Sequence, residues 1–254
     1  MKITKISVVI AAYNETETIE EIIRRVCAVD LLGIEKEVIV VDDGSRDATA
    51  EILRGIKNIR VFFHKKNLGK GGALRTGIAN ATGDVIILQD ADLEYSPDDF
   101  PALIRPILED RTELVLGSRF HGRGPHFLTK NGDPFLSHYI GNKMIIGLTN
   151  MLYGQKVTDY EGCYKAFTRA LALKVNVSAN GFEFDNELIC KTLRLGYKIA
   201  EVPIQYHPRL YSEGKKIKWQ DGIRMLWSIV KWRIFPVKES RKANPTANVG
   251  KTLI

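Results

Sequence analysis

The segment DVIILQDADLEYSP, residues 84–97, is an apolar run that ends abruptly in three acidic residues. Residues 85–88 are all aliphatic, which is typical of a strand buried on both faces of a sheet. Asp90, Asp92 and Glu94 then follow at every second position. Because alternate side chains of an extended chain share a face, this spacing predicts three carboxylates on one side. Such like charges repel, and a divalent cation would remove the conflict, whereas the alternative is a solvated acidic turn.

Working outward, similar apolar runs recur along the first half of the chain. The candidate strands are SVVIA (7–11), EVIVV (37–41), RVFF (60–63), DVIIL (84–88) and ELVLG (113–117). Helical patterns lie between them. A capping-box pair, Thr18 and Glu21, begins a helix between the first two strands, and the glycine-rich stretch NLGKGGALRTG (67–77) leads into another. This alternation predicts an α/β fold with a mostly parallel central sheet.

Composition favours one large domain. The chain has 254 residues, of which 44% are hydrophobic and 26% charged. We expect one domain over residues 1–237, with halves of about 1–120 and 121–237, and a disordered polar tail over 238–254. Its three cysteines are widely separated, without CxxC spacing, which favours core thiols in a reducing compartment.

The charge of the chain is concentrated near its C-terminal end. From Arg209 onward there are 11 Lys/Arg against 3 Asp/Glu, a net charge of +8. Such a region could contact nucleic acid, anionic lipid headgroups or a phosphorylated substrate. No stretch has the roughly 18 uncharged apolar residues that a membrane-spanning helix requires, so we expect no span.

Polar residues follow several of the predicted strands. In an open α/β sheet, ligands bind beyond the carboxyl ends of the strands, so these residues are candidates for a binding site. Each could instead cap a helix, but four such groups in succession exceed what capping explains. The groups are Tyr13, Asn14 and Glu15; Asp42 and Asp43; Asn67 and Lys70; and Asp90 and Asp92.

Five motifs occur in the order of a known family: SVVIAAYNE, VIVVDDGSRDAT, NLGKGGALRTG, GDVIILQDADLEYSP and VLGSRF. Together they resemble the family 2 glycosyltransferases of the GT-A fold over roughly residues 5–120. The later motifs TDYEGCYKAF, GFEFDNELICK and EVPIQYHPR are similar to the dolichyl-phosphate mannose synthase-like branch, extending the resemblance to about residue 235. It implies a single Rossmann-like GT-A domain with a C-terminal amphipathic helix.

The resemblance also implies a donor site and a metal. A nucleotide sugar would be bound by residues at the strand ends, and Mg²⁺ or Mn²⁺ would stabilise the leaving nucleoside diphosphate. The implied donor contacts are Ala12, Tyr13, Glu15, Asp42, Asp43, Lys70, Asp90 and Ala91. The implied metal ligands are Asp90, Asp92 and Glu94, and the implied catalytic residues are Asp92 and Asp159. Asp159 would act as a base, would only position groups, or would cap a helix.

The acceptor implied by the resemblance is a polyprenyl phosphate, held by Arg119, Arg123, Arg209 and Lys215. Such an acceptor places the protein peripherally on the cytoplasmic face of the membrane. IRMLWSIVKWRIF (223–235) and YIGNKMIIGLTNML (139–152) are amphipathic helices that could lie in the headgroup region, or pack on the core or another subunit.

Two other functions are compatible with parts of the sequence. One keeps the donor site but uses a saccharide hydroxyl as acceptor, for which Asp159 would be a true base. The other is a nucleotide- or nucleic-acid-binding module, suggested by the basic C-terminal region. The chain has no recognisable nucleic-acid motif, and the acidic site would repel a polyanion, so we expect no nucleic-acid partner.

Overall fold

Strands and helices alternate along the part of the chain that the computed structural model describes, residues 2–121, 136–207 and 219–237. The first half contains β1 (Lys5–Ala12), α1 (Ile19–Ala28), β2 (Glu35–Asp42), α2 (Thr49–Gly55), β3 (Arg60–Phe63), α3 (Lys70–Asn80), β4 (Val85–Asp90), α4 (Phe100–Leu108) and β5 (Leu114–Ser118). The second half contains α5 (Leu136–Tyr153), β6 (Lys165–Thr168), α6 (Arg169–Val175), α7 (Phe184–Arg194), β7 (Ile199–Pro203) and α8 (Trp219–Ile234).

The seven strands form one sheet in the order β3-β2-β1-β4-β6-β5-β7. β6 is antiparallel to both of its neighbours, and the other pairs are parallel. Because the chain moves outward from β1 through β2 and β3, and then returns to place β4 on the other side of β1, the strand order reverses at β1. The mostly parallel α/β fold expected from the sequence is confirmed, and the reversal marks the ligand-binding edge of such sheets.

Both faces of the sheet are buried. Val8 and Ile10 of β1 pack into one core cluster with residues of α1 and α4, whereas Val9 packs into another with residues of α3 and α7. This arrangement explains the unbroken apolar runs, since a strand covered on both faces has no polar side. All five predicted strands are present.

The capping box expected at the start of α1 is wrong. The hydroxyl of Thr18 donates to Glu15 Oε2 at 2.8 Å instead of accepting from the helix. Glu21 pairs with Arg24 and Arg25, both at 2.7 Å. Charged partners attract the carboxylate of Glu21 more strongly than a backbone N–H does, so the pattern is present but its hydrogen bonds are not.

α5 and α8 form an additional layer on α7. Ile145, Cys190, Met225 and Ile229 make a small core cluster that joins the three helices. On α8, Met225 and Ile229 face this core whereas Trp227 is exposed, so the predicted amphipathic helix packs on the protein with one face. Among the described residues, no helix is both long and apolar enough to cross a bilayer.

Candidate active site

The reversal of strand order brings the first predicted donor residues together. β1 lies between β2 and β4, with Ala12 beside Asp42 and Ala11 beside Asp90 in the strand register. The residues that follow these strands therefore share one edge of the sheet. Tyr13 follows β1 at this edge, and Ala91 and Asp92 follow β4.

An ion pair occupies the end of β4. Lys70, the first residue of α3, places its Nζ 2.7 Å from Asp90 Oδ1, and both side chains are about four-fifths buried. Burial by itself lowers the pKa of Lys70, but Asp90 outweighs it and raises the pKa above its ordinary value. Burial likewise raises the pKa of Asp90, but Lys70 outweighs it and lowers this pKa. Both groups are charged near neutral pH, so Lys70 presents a fixed positive charge at this edge.

The three acidic residues do not share a face, so this prediction is wrong. Leu93 has a φ of 60°, which turns the chain after Asp92 and ends the alternation of an extended segment. Asp92 Oδ1 accepts a hydrogen bond from the backbone N–H of Glu94 at 3.2 Å. The Glu94 carboxylate is hydrogen-bonded to Tyr206, and its carbonyl accepts from His207 N at 2.8 Å. The turn thus directs Glu94 away from the expected set of three metal ligands.

The remaining two carboxylates still fit a hard divalent cation. Asp90 and Asp92 are both partly exposed at the sheet edge, and Asp90 is ionised. Mg²⁺ is usually held by one or two protein carboxylates together with substrate phosphates, and not by a complete protein cage. Consistently, the described residues contain no cluster of three or more His, Cys, Asp or Glu side chains that could hold a metal. These two residues would hold a metal only together with a phosphorylated ligand.

Asp43, which was predicted as a donor contact, uses its carboxylate to hold the glycine-rich loop. It is 2% exposed, and its Oδ1 and Oδ2 accept from the backbone N–H groups of Leu68 and Gly69 at 2.9 and 2.8 Å. His64 Nδ1 lies 2.6 Å from Asp43 Oδ1, and His64 Nε2 lies 2.9 Å from Thr76 Oγ1. Asp43 therefore positions the glycine-rich loop that carries Lys70.

The glycines of this loop permit a close approach to the segment before α7. Gly69 has a φ of 92°, and a Cβ there would lie 2.4 Å from the carbonyl oxygen of Asn180. The same carbonyl accepts from Gly72 N at 3.0 Å, within the first turn of α3. A larger residue at Gly69 would separate the two segments and displace Lys70.

The loops after β1 and β2 are joined by side-chain hydrogen bonds. Asn14 N donates to Ser45 Oγ, and Arg46 N donates to Asn14 Oδ1, both at 2.9 Å. Glu15 N donates to Thr49 Oγ1 at 2.8 Å, which fixes the start of the turn before α1. Asp42 faces a cavity of about 360 Å³ that is also lined by Ser45, Arg46, Phe63, Lys66 and Asn67. This cavity therefore borders Asp42, one of the predicted base-binding residues.

Asp159 is buried in an ion pair, and the geometry does not support its predicted role as a base or a helix cap. Its Oδ2 lies 2.7 Å from Arg119 Nε, and its Oδ1 lies 2.9 Å from Arg119 Nη2. Burial by itself raises the pKa of Asp159, but Arg119 outweighs it and lowers the pKa below its ordinary value. A carboxylate held in this pairing is a weaker base than a free one, which favours the predicted positioning role of Asp159 over that of a base.

The expected acceptor cations are only partly described. Arg119 is bound to Asp159, and its guanidinium lies 5.2 Å from the centre of the Tyr206 ring. Arg123, Arg209 and Lys215 lie outside the described residues. Among the four expected acceptor contacts, Arg119 is thus the one that lies in the described part of the chain.

Sequence reasoning missed a polar cluster between the chain before β6 and the first turn of α7. Lys165 Nζ lies 3.0 Å from Asp185 Oδ1, and Asn186 Nδ2 donates to Glu161 Oε1 at 2.8 Å. Burial raises the pKa of Glu161 to about 7. The signal available in the sequence was the stretch GFEFDNE, which places three acids and an amide where a helix begins.

The fold defines an α/β protein of the GT-A type, with Lys70, Asp90 and Asp92 at the edge of the sheet where the strand order reverses. Residues 7–175 match the family model Glycosyl transferase family 2. The chain belongs to this family and is a glycosyltransferase.

Relatives among curated proteins span most of the chain. An uncharacterised protein of Methanocaldococcus jannaschii is 31% identical over 91% of this chain and 93% of its own length. The UDP-N-acetylglucosamine–dolichyl-phosphate N-acetylglucosaminyltransferase of Methanococcus voltae is 28% identical over 89% of this chain and 94% of its own length. Two further relatives are longer, and the chain spans 51% and 64% of them.

A solved structure shares the fold. Glucosyl-3-phosphoglycerate synthase from Mycobacterium tuberculosis, in complex with Mn²⁺, UDP-glucose and phosphoglyceric acid, superposes with a TM-score of 0.68. The two proteins are 25% identical, and the match covers 92% of this chain and 81% of the synthase. The same synthase has been solved with Mg²⁺ and UDP.

Proposed function

We propose that this chain is a metal-dependent, inverting glycosyltransferase that moves a hexose, mannose or glucose, from a GDP- or UDP-sugar to a polyprenyl phosphate. The observation that carries the proposal is the Lys70–Asp90 pair, with Asp92 beside it, at the point where the strand order reverses. Ligands of open α/β sheets bind at this place. A cation and two carboxylates there suit a diphosphate and its metal ion.

The donor would lie along the edge of the sheet. Tyr13, Glu15 and Asp42, at the ends of β1 and β2, would contact the base and ribose. Lys70 would contact the diphosphate, and Asp90 and Asp92 would hold the metal. When bound, the metal neutralises charge that develops on the leaving diphosphate.

The reaction exchanges one bond at the anomeric carbon. The bond to the diphosphate oxygen breaks, and an oxygen of the acceptor phosphate bonds to the carbon from the opposite face. The nucleoside diphosphate leaves with the electron pair. A phosphate acceptor is already an anion at neutral pH, so no strong base is needed, which is compatible with the engaged carboxylate of Asp159. Lys70 offsets charge on the leaving group through its fixed ammonium.

Two apolar stripes support an approach to a bilayer, which we propose takes place on the cytoplasmic side. Ile140, Met144 and Met151 on α5, and Ile223, Trp227 and Ile234 on α8, are each at least half exposed. Both sets have the spacing i, i+4, i+11, which places their members on one face of a helix. Arg224 and Lys143 are exposed on the same helices, and residues from Arg209 onward carry a net charge of +8. Apolar and aromatic residues flanked by cations suit an interface with anionic lipid.

A transfer assay tests the proposal. Purified protein is incubated with Mn²⁺ or Mg²⁺, a short-chain polyprenyl phosphate and a panel of radiolabelled GDP- and UDP-sugars, and label extracted into organic solvent is counted. Label should enter the organic phase with one donor and only when metal is present. If the donor binds or is slowly hydrolysed while no lipid is labelled, the lipid-phosphate acceptor is wrong and saccharide acceptors must be tested.

A further inference from the structure

The polar cluster before β6 and at the start of α7 contains acceptors that the protein does not use. Asn186 Oδ1 and Glu183 Oε2 are buried and have no hydrogen-bond partner within the described parts of the chain. Asn186 is 2% exposed, and its amide nitrogen is already bound to Glu161. A buried acceptor left unsatisfied costs about 1–3 kcal/mol. A ligand that carries hydrogen-bond donors would remove this cost.

The unsatisfied atoms share one side of the helix start. Residues 183 and 186 are three positions apart, which places their side chains on the same face. Glu161 lies in the chain before β6 and joins this face through its hydrogen bond with Asn186. Glu161 is partly exposed, so a ligand can reach it.

The order of the strands places this cluster next to the proposed diphosphate site. β4, with the Lys70–Asp90 pair, lies between β1 on one side and β6 on the other. Lys165, the first residue of β6, contributes to the electrostatic environment of Asp90. A donor whose base lies at β1 and β2, and whose diphosphate lies at β4, would extend its sugar toward β6.

We propose that Glu161, Glu183 and Asn186 bind hydroxyl groups of the transferred sugar, an inference that rests on the proposed function. Sugar hydroxyls donate hydrogen bonds, and the three side chains present carboxylate and amide oxygens that accept them. The acceptor phosphate is excluded from this subsite, because two acidic side chains would repel an anion. With a pKa of about 7, Glu161 can accept from one hydroxyl when ionised and donate to another when protonated.

Calorimetric binding separates contacts to the sugar from contacts to the nucleotide. Affinities for UDP, UDP-glucose, GDP and GDP-mannose are measured with Mn²⁺ for the wild type, Asn186→Leu and Glu161→Gln. Each variant should weaken binding of the nucleotide sugar about tenfold and leave the matching nucleoside diphosphate within about twofold. Asn80→Leu is the control, because Asn80 lies at the far end of α3 and its side-chain amide donates to Thr76 O of the same helix.

The outcomes distinguish the inference from the proposal on which it rests. The hydroxyl subsite is wrong, while the donor site stands, if the variants lose affinity for the nucleotide sugar and for the nucleoside diphosphate to the same extent. It is also wrong if neither variant loses affinity for either ligand. If the wild type binds none of the four ligands, the proposed function fails and the subsite fails with it. Glu161→Gln keeps the acceptor for Asn186 Nδ2, so it provides the test if Asn186→Leu does not fold.

Discussion

Arg119 and Asp159 form a two-pronged ion pair that joins the end of β5 to the loop before β6, with 2.7 Å between Nε and Oδ2. The backbone N–H groups of Arg119 and Glu161 also donate to the Asp159 carboxylate, each at 3.1 Å. One carboxylate therefore holds both the cation expected at the acceptor and the backbone of a residue in the proposed sugar subsite.

Removing the charge of Asp159 should destabilise the fold. We expect Asp159→Asn to lower the free energy of unfolding by about 3 kcal/mol, because Arg119 would lose its charged partner inside the protein. Urea unfolding measures the loss. The double variant Arg119→Met/Asp159→Leu should recover much of it, since no unpaired charge remains. A fully stable Asp159→Asn that has lost turnover would instead support a role as a base.

The Asp92 side chain should be required for metal-dependent nucleotide binding but not for folding. Asp92→Ala should abolish metal-dependent nucleotide binding and lower turnover at least 100-fold, roughly the effect of losing one charge-stabilising group. The free energy of unfolding should change by less than about 1 kcal/mol, because the side chain is partly exposed. Titration of nucleotide with and without Mn²⁺ checks the first expectation. Asp98→Ala, an exposed acid in the next turn, serves as the control. Unchanged metal dependence in Asp92→Ala would refute the assignment.

Substitutions of the adjacent residues Asp42 and Asp43 should differ in their effects on stability and on nucleotide affinity. Asp43→Asn should lower the free energy of unfolding by about 1–3 kcal/mol, because a buried network with His64 and two backbone N–H groups is broken. Within the described residues, the Asp42 carboxylate accepts two long contacts from Ser45 N, both 3.4 Å, so Asp42→Asn should affect nucleotide affinity more than stability. Unfolding and nucleotide titration of both variants test the contrast. Equal loss of stability in the two would overturn it.

Glu161 should make stability depend on pH. Burial raises its pKa to about 7, above the value of about 4.3 expected for glutamate in an unfolded chain. The stability that this shift contributes is therefore fully present below about pH 4.3 and is lost as pH rises through 7, by up to about 3 kcal/mol. Glu161→Gln removes the titration, so its stability relative to the wild type should increase between pH 5 and pH 8. A difference that stays constant over this range would contradict the shift.

The stripe on α8 should carry lipid binding. Ile223→Ser/Trp227→Ser should reduce sedimentation with vesicles of phosphatidylglycerol and phosphatidylcholine about tenfold, with little effect on stability, because both side chains are exposed. Leu173→Ser removes an exposed leucine on α6 and is the matched control. Equal sedimentation of all three proteins would show that α8 does not contact lipid.

The five strands of the first half could be predicted from the sequence, whereas β6 and β7 could not. β1, β2 and β4 are buried on both faces, so their composition alone indicates them. β6 is four residues long and β7 five, and their pairing depends on neighbours far away in the chain. A local pattern does not encode such non-local pairing, and neither strand was predicted.

The positions of the candidate site residues were predictable, but their partners were not. Asp43 and Glu94 lie where polar residues follow strands, as expected. Asp43 nevertheless faces the glycine-rich loop, and Glu94 turns toward Tyr206. A single left-handed residue, Leu93, is enough to redirect Glu94. Spacing predicts alternation only while the backbone stays extended.

The mostly parallel α/β sheet and the family of the chain could be read from the sequence, as could the edge at which we propose that ligands bind. Hydrophobic periodicity and the order of motifs are local properties, so they can be read along the chain. The tertiary structure decided which charges are paired: Lys70 with Asp90, and Arg119 with Asp159. It also brought Glu161 to Asn186, 25 residues away in the sequence. The role of a charged group depends on its neighbours in space, and only the packing of helices on the sheet brings those neighbours together.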